Sequence, residues 1–168
     1  MNRTANLRTN RWSVASALLL LLMLTLSMAC HQRPIYSHYE PVDIDGWQRD
    51  DTLHFAVTQV AESGYYHETL GLRAHLSYPF TSLSLIVRQQ TIPSGISRCD
   101  TVMISLINSD GMPLGSGVSY FQYDIPLEDI SIEAGDTLYI DIRHNMKREN
   151  LAGIADVGMT LEKVQLAR

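Results

Sequence analysis

Residues 138–143 read Leu138-Tyr139-Ile140-Asp141-Ile142-Arg143. In an extended chain successive side chains point to opposite faces, so Leu138, Ile140 and Ile142 share one face and Tyr139, Asp141 and Arg143 the other. The pattern is that of a strand buried on one side. It recurs on both sides of this stretch. Leu53, Phe55 and Val57 alternate with Thr52, His54 and Thr58. Leu70, Leu72, Ala74 and Leu76 do so against Gly71, Arg73 and His75. Leu83, Leu85 and Val87 follow, then Val102, Ile104 and Leu106, and Val157, Met159 and Leu161 close the series. One apolar and one polar face per strand is the mark of antiparallel sheets over a shared core. Turn residues separate the runs: Ser63-Gly64, Pro93-Ser94-Gly95, Pro126, Ala134-Gly135-Asp136 and Gly153. Asn108-Ser109-Asp110-Gly111 between two apolar runs is the strongest hairpin signal.

The expectation is an all-β antiparallel sandwich of about seven to nine strands, with a closed barrel as the alternative. No stretch after residue 43 keeps an apolar helical stripe across three turns; the best helical candidate is short, Asn145 to Ala152. The sandwich is assigned to residues 44–168, a length that suits one hydrophobic core.

The first 29 residues carry Arg3, Arg8 and Arg11 and no acid, so the net charge of -5 divides into +3 for this leader and -8 for the rest. An acidic body argues against nucleic acid as a partner, because phosphate binding needs a basic face. Residues 1–29 have the three parts of an export signal: the arginines, an uncharged run from Val14 to Ala29 centred on Leu18–Leu22, and a small residue before Cys30. The run is short for a permanent span, which needs about 20 apolar residues. Ser27-Met28-Ala29-Cys30 resembles a lipobox, in which the cysteine thiol is acylated and becomes the new N-terminus; Ser27 departs from the commoner Leu. Cys30 is thus the expected lipidation site, anchoring the chain to a bilayer through several acyl chains. Residues 30–43, with Pro34 and Pro41 and no helical period, read as a flexible tether. Cys99 then stands alone, and a packed or half-buried structural role is expected for it.

The remaining chemistry is sparse. His31, His38, His54, His67, His75 and His144 show no close ligand spacing, and no metal or cofactor is expected. His67 and His75, eight apart, are placed on one sheet face. No Gly-x-Ser-x-Gly, Walker-type or dinucleotide motif occurs, and a non-catalytic protein is expected. Aromatic residues gather near strand ends. Trp47, Tyr65 and Tyr66 are candidate ligand aromatics, since exposed rings can stack on sugars; packing at the rim of the core is the competing account. Met146-Lys147-Arg148 holds the one basic pair of the body. Lys147 and Arg148 are candidate partner-binding anchors, against a structural corner with solvated charges.

Several landmarks together resemble a known family. They are Gly46-Trp47, Asp51-Thr52-Leu53-His54-Phe55, Tyr78-Pro79-Phe80 before Leu83-Ser84-Leu85, Asp100-Thr101-Val102, and Asp110-Gly111 with Gly115-Ser116-Gly117. The run from Met146 to Met159 is the most specific. With the leader to Cys30 they resemble the gliding-motility lipoprotein H family of Bacteroidetes. The resemblance covers essentially the whole mature chain. It implies an envelope lipoprotein tied to surface gliding and type IX protein secretion, with other envelope proteins as partners and no catalytic residues to carry over. The expected location is the periplasmic face of the outer membrane rather than the inner membrane. A glycan-binding envelope lipoprotein is the alternative.

Overall fold

Twelve strands and no helix form among the described residues, 33–43 and 45–165, of the computed structural model. The expected signal segment 1–29 and the expected lipidation site Cys30 lie outside those residues. In chain order the strands are β1 (Tyr36–Pro41), β2 (Trp47–Gln48), β3 (Leu53–Val57), β4 (Gly64–His75), β5 (Ser82–Ile92) and β6 (Ser97–Ser105). There follow β7 (Ser116–Gly117), β8 (Tyr120–Pro126), β9 (Ile130–Ile132), β10 (Thr137–His144), β11 (Asn150–Leu151) and β12 (Ile154–Lys163). Eight of these run five residues or more, within the seven to nine strands expected, and the other four are pieces of two or three residues.

Two antiparallel sheets face each other. One runs β1-β12-β4-β8-β7, with β9 pairing the start of β4; the other runs β3-β10-β5-β6. Between them lie Leu70 and Leu72 of β4, Leu83 and Leu85 of β5, Leu138, Ile140 and Ile142 of β10, and Met159 and Leu161 of β12, all fully buried. These are the apolar phases of the alternation. Each such side chain contributes about 1.5–3 kcal/mol through removal from water. A short ribbon of β2 and β11 closes one end, pairing Trp47 with Leu151 and Gln48 with Asn150.

Four expectations are corrected. Residues 36–41 are not tether: they form β1, an edge strand paired with β12 from Tyr36↔Leu161 to Pro41↔Asp156. An edge tolerates proline at its end, so the two prolines hid the strand. What holds it is cross-strand. Tyr39 lies over Gly158 and Gly71, where an added Cβ would meet its ring carbon at 2.6 Å and its hydroxyl oxygen at 2.1 Å. Its Oη then accepts from Gln122 Nε2 at 2.9 Å. The Asn145–Ala152 helix does not form; the segment is a loop followed by the short strand β11. Leu76 falls one residue past β4 and is exposed, because the chain has already turned. Cys99 is exposed rather than packed. Ile104 and Leu106 set the even-numbered phase of β6 inward, which turns Cys99 out. His67 and His75 do share the outer face of β4, bound locally to Asp129 at 2.8 Å and Ser77 at 2.7 Å.

Candidate functional site

The loop after β10 carries Lys147 and Arg148, and its shape is set from the other end of the chain. β10 ends at His144, a fully buried ring edge-on to Trp47 at 5.3 Å, with its Nε2 on the Trp47 carbonyl at 3.2 Å. Burial pushes the imidazole below its ordinary value, against the pull of the Trp47 carbonyl. Trp47 in turn donates through Nε1 to the Asp51 carbonyl at 3.0 Å. Two residues on, the Arg49 guanidinium reaches across to the loop. It donates to the carbonyl of Met146 at 2.7 Å and to that of Lys147, and it pairs with Glu149 at 2.9 Å. The Arg49 N–H also bonds to the Glu149 carbonyl at 2.8 Å. On the far side, the Asn145 N–H donates to the Ser84 carbonyl at 2.8 Å.

The loop is therefore clamped while its two cations point outward. Lys147 is exposed and has no ion-pair partner among the described residues. Arg148 places its guanidinium 5.9 Å over the ring of Phe80, which packs edge-on to Tyr78 at 5.6 Å. Burial raises the Tyr78 hydroxyl above its usual range, and that hydroxyl donates to the Ser82 carbonyl at 3.2 Å. Two further arginines without ion-pair partners among the described residues, Arg88 and Arg143, lie on the outer face of the four-stranded sheet. They line a depression of about 280 Å³ with Asp50, His54 and Asp141.

The candidate aromatics do not converge. Trp47 and Tyr66 are 1 % exposed, and both polar ends are taken internally, that of Tyr66 by the Glu62 carbonyl at 2.5 Å. Neither has a free face, which corrects their reading as stacking platforms. Tyr65, at 58 % exposure, stands apart on the outer face of β4.

Sequence reasoning missed a buried polar cluster between the sheets. Glu68 on β4 is fully buried and accepts from Gln89 Nε2 at 2.5 Å and from Arg98 at 2.9 Å. Arg98 also pairs with Asp100 at 2.8 Å. Burial raises the Glu68 carboxyl, with Gln89 and Arg98 opposing the rise. The signal was available: Glu68 falls in phase with Tyr66, Leu70 and Leu72, at a position where the alternation demands an apolar side chain.

An antiparallel sandwich that keeps its free charges on loops and outer sheet faces is the class of protein that fold and site define. Within that class, the chain belongs to the GldH lipoprotein family, whose sequence profile matches residues 34–161. The gliding motility lipoprotein GldH of Flavobacterium johnsoniae is 29 % identical over 157 residues, covering 86 % of this chain and 94 % of that one. Membership makes this a membrane-anchored lipoprotein of the cell envelope. Among solved structures, the GH115 4-O-methyl-α-glucuronidase BtGH115A is similar with TM-score 0.47 at 9 % identity, over 82 % of this chain and 19 % of that one. The CBM22-1 xylan-binding domain of Paenibacillus barcinonensis Xyn10C is similar with TM-score 0.36 at 12 % identity, over 83 % and 99 %. Neither likeness bears on what this chain binds.

Proposed function

We propose that the chain is a non-catalytic component of an envelope assembly serving gliding motility or type IX protein secretion. Acylated Cys30 holds it at the periplasmic face of the outer membrane, where it binds other envelope proteins. The observation that carries this reading is the Arg49 clamp, which fixes the loop of Lys147 and Arg148 and leaves both cations directed at solvent. Met146 packs one side of the loop against the core, while Lys147 and Arg148 beside it stay exposed, and a loop held in this way loses little freedom when a partner docks. Anchoring adds to it, because two proteins confined to one membrane meet at high effective concentration. With β1 beginning at Tyr36, six peptide steps separate Cys30 from the first paired residue, a reach of at most about 20 Å.

Detergent extraction of the full chain from its native membranes, followed by affinity recovery, tests the reading. Recovery of the same envelope proteins with wild type, reduced for Lys147→Glu/Arg148→Glu and for Cys30→Ala, is expected. Equal recovery with all three, or no effect of deleting the gene on either surface movement or protein secretion, overturns it.

A further inference from the structure

Among the described residues, strand β6 is an edge that no other strand covers. It pairs with β5 alone, from Ser97↔Gln90 to Ser105↔Ser82. The bonds at the two ends of this ladder fix its phase. Thr91 N–H donates to the Ile96 carbonyl at 2.9 Å, and Leu106 N–H donates to the Thr81 carbonyl at 2.8 Å. In an antiparallel pair, residues that bond to the neighbour alternate with residues whose N–H and C=O point away. Residues 98, 100, 102 and 104 therefore bond to β5. Ser97, Cys99, Thr101, Met103 and Ser105 turn their backbone groups to the open side.

The other edges are managed differently. β7 is two residues long. β1 ends in Pro41 and lies against β3 across the seam, with the Tyr36 hydroxyl on the Ala56 backbone. β6 runs nine residues without proline, lysine or a bulge, and Met103 on its outer face is 66 % exposed. What protects it is a pair of charges in its even-numbered phase, half-buried Arg98 and exposed Asp100, which disfavour an arbitrary apolar strand. They line a groove of about 330 Å³ with Val87, Val102, Pro126 and Leu127.

Those two charges are opposite in sign and flank Cys99, and this spacing is complementary to itself. If β6 pairs antiparallel with β6 of a second copy about a two-fold axis at Cys99, Arg98 of each copy faces Asp100 of the other. Ser97 then faces Thr101, and the exposed Ile96 faces the half-buried Val102. Centring on Asp100 would oppose like charges, and centring on Thr101 would set Asp100 against Val102. We propose that β6 is a self-association edge, through which two copies join their four-stranded sheets into one of eight strands, in register at Cys99.

The geometry suits two chains anchored in one membrane. Tyr36 pairs with Leu161 and Leu161 with Glu68, and Glu68 contacts Arg98, so the start of β1 stands level with Cys99 along the strands. A two-fold axis there brings Tyr36 of both copies to the same height. The central pair would be a hydrogen-bonded one with Cα atoms about 5.5 Å apart, a spacing at which a disulfide closes.

The test uses the full-length chain in native membranes, with diamide as oxidant. Each thiol of a facing pair gives up its proton, and the pair passes two electrons to diamide, which leaves as the hydrazine. Wild type is expected to cross-link to a dimer, with complete loss in Cys99→Ser. In the Cys99→Ser background, Ser97→Cys and Thr101→Cys should each fail alone and cross-link when combined in one chain, because they face each other across the axis. Thr101→Pro removes an outward N–H without touching the β5 ladder and should abolish the dimer while the domain stays folded by circular dichroism. A folded chain that sediments as a monomer in detergent at micromolar concentration and gives no Cys99 cross-link overturns the proposal. So does a cross-link from Ser97→Cys alone.

Discussion

Glu68 and Arg98 meet at 2.9 Å between the two sheets, the carboxylate without any exposure and the guanidinium reaching it from the edge strand. Breaking a buried pair leaves a charge that neither water nor a partner compensates, at about 3–5 kcal/mol. Arg98→Ala is therefore expected to lower stability by about that much in urea unfolding. The pH dependence identifies the cause. Burial raises the folded carboxyl above its ordinary 4.5, so its contribution is fully present below that value and is lost as pH rises through the raised one. Arg98 opposes the rise, and its removal extends the loss. The variant should regain stability relative to wild type on acidification toward 4.5. A deficit that stays constant across that range would assign the effect to packing alone.

A second expectation concerns Tyr39 and the two glycines beneath it. Gly158→Ala places a methyl group 2.6 Å from a ring carbon of Tyr39, and Gly71→Ala places one 2.1 Å from its hydroxyl oxygen. Overpacking of this kind costs about 1–3 kcal/mol. Tyr39→Ala should remove most of that penalty, so the double-mutant cycles for Gly158 and Gly71 should each show coupling of about 1 kcal/mol or more. Additive losses in urea melts would mean that the ring is free to swing away.

These two clusters mark where the sequence could and could not be read. Leu138, Ile140 and Ile142 alternate cleanly because a strand with one buried face must, and the sandwich follows from repeating that pattern. β1 lacks the signal because its ring packs outward, on glycines brought beside it by β12 and β4, and that neighbourhood exists only after folding. Arg49 sits in a polar stretch that looks like solvent, and its partners are backbone carbonyls about a hundred residues away in sequence. Carbonyls have no side-chain identity to read. Lys147 and Arg148 stood out as a basic pair, but the clamp behind them did not.

His144 supplies a third prediction. Burial lowers its pKa below 6.5, so folding favours the neutral ring; the stabilisation is present above that value and fades as pH falls through the lowered one. Wild type should lose stability on acidification below 6.5. His144→Gln, which cannot take up the proton, should show a flatter profile over the same range. Parallel profiles for the two proteins would place the acid sensitivity elsewhere.

The final prediction separates charge from shape at the proposed docking loop. Lys147→Glu/Arg148→Glu reverses two exposed charges and forfeits the contact of Arg148 with Phe80, worth about 0.5–1 kcal/mol. The domain should stay folded with a shift in stability of that order, while recovery of envelope partners falls. Arg49→Ala leaves both cations in place but frees the Met146 and Lys147 carbonyls and the Glu149 carboxylate. Amide exchange across residues 146–149 should then accelerate, and partner recovery should drop through loss of preorganisation rather than charge. High salt distinguishes the two, because screening weakens the electrostatic part only. Wild-type recovery should fall with salt, the charge-reversed protein should be insensitive to it, and Arg49→Ala should keep the wild-type salt slope at a lower level. If Arg49→Ala recovers partners as well as wild type does while its loop exchanges faster, rigidity of the loop plays no part in binding.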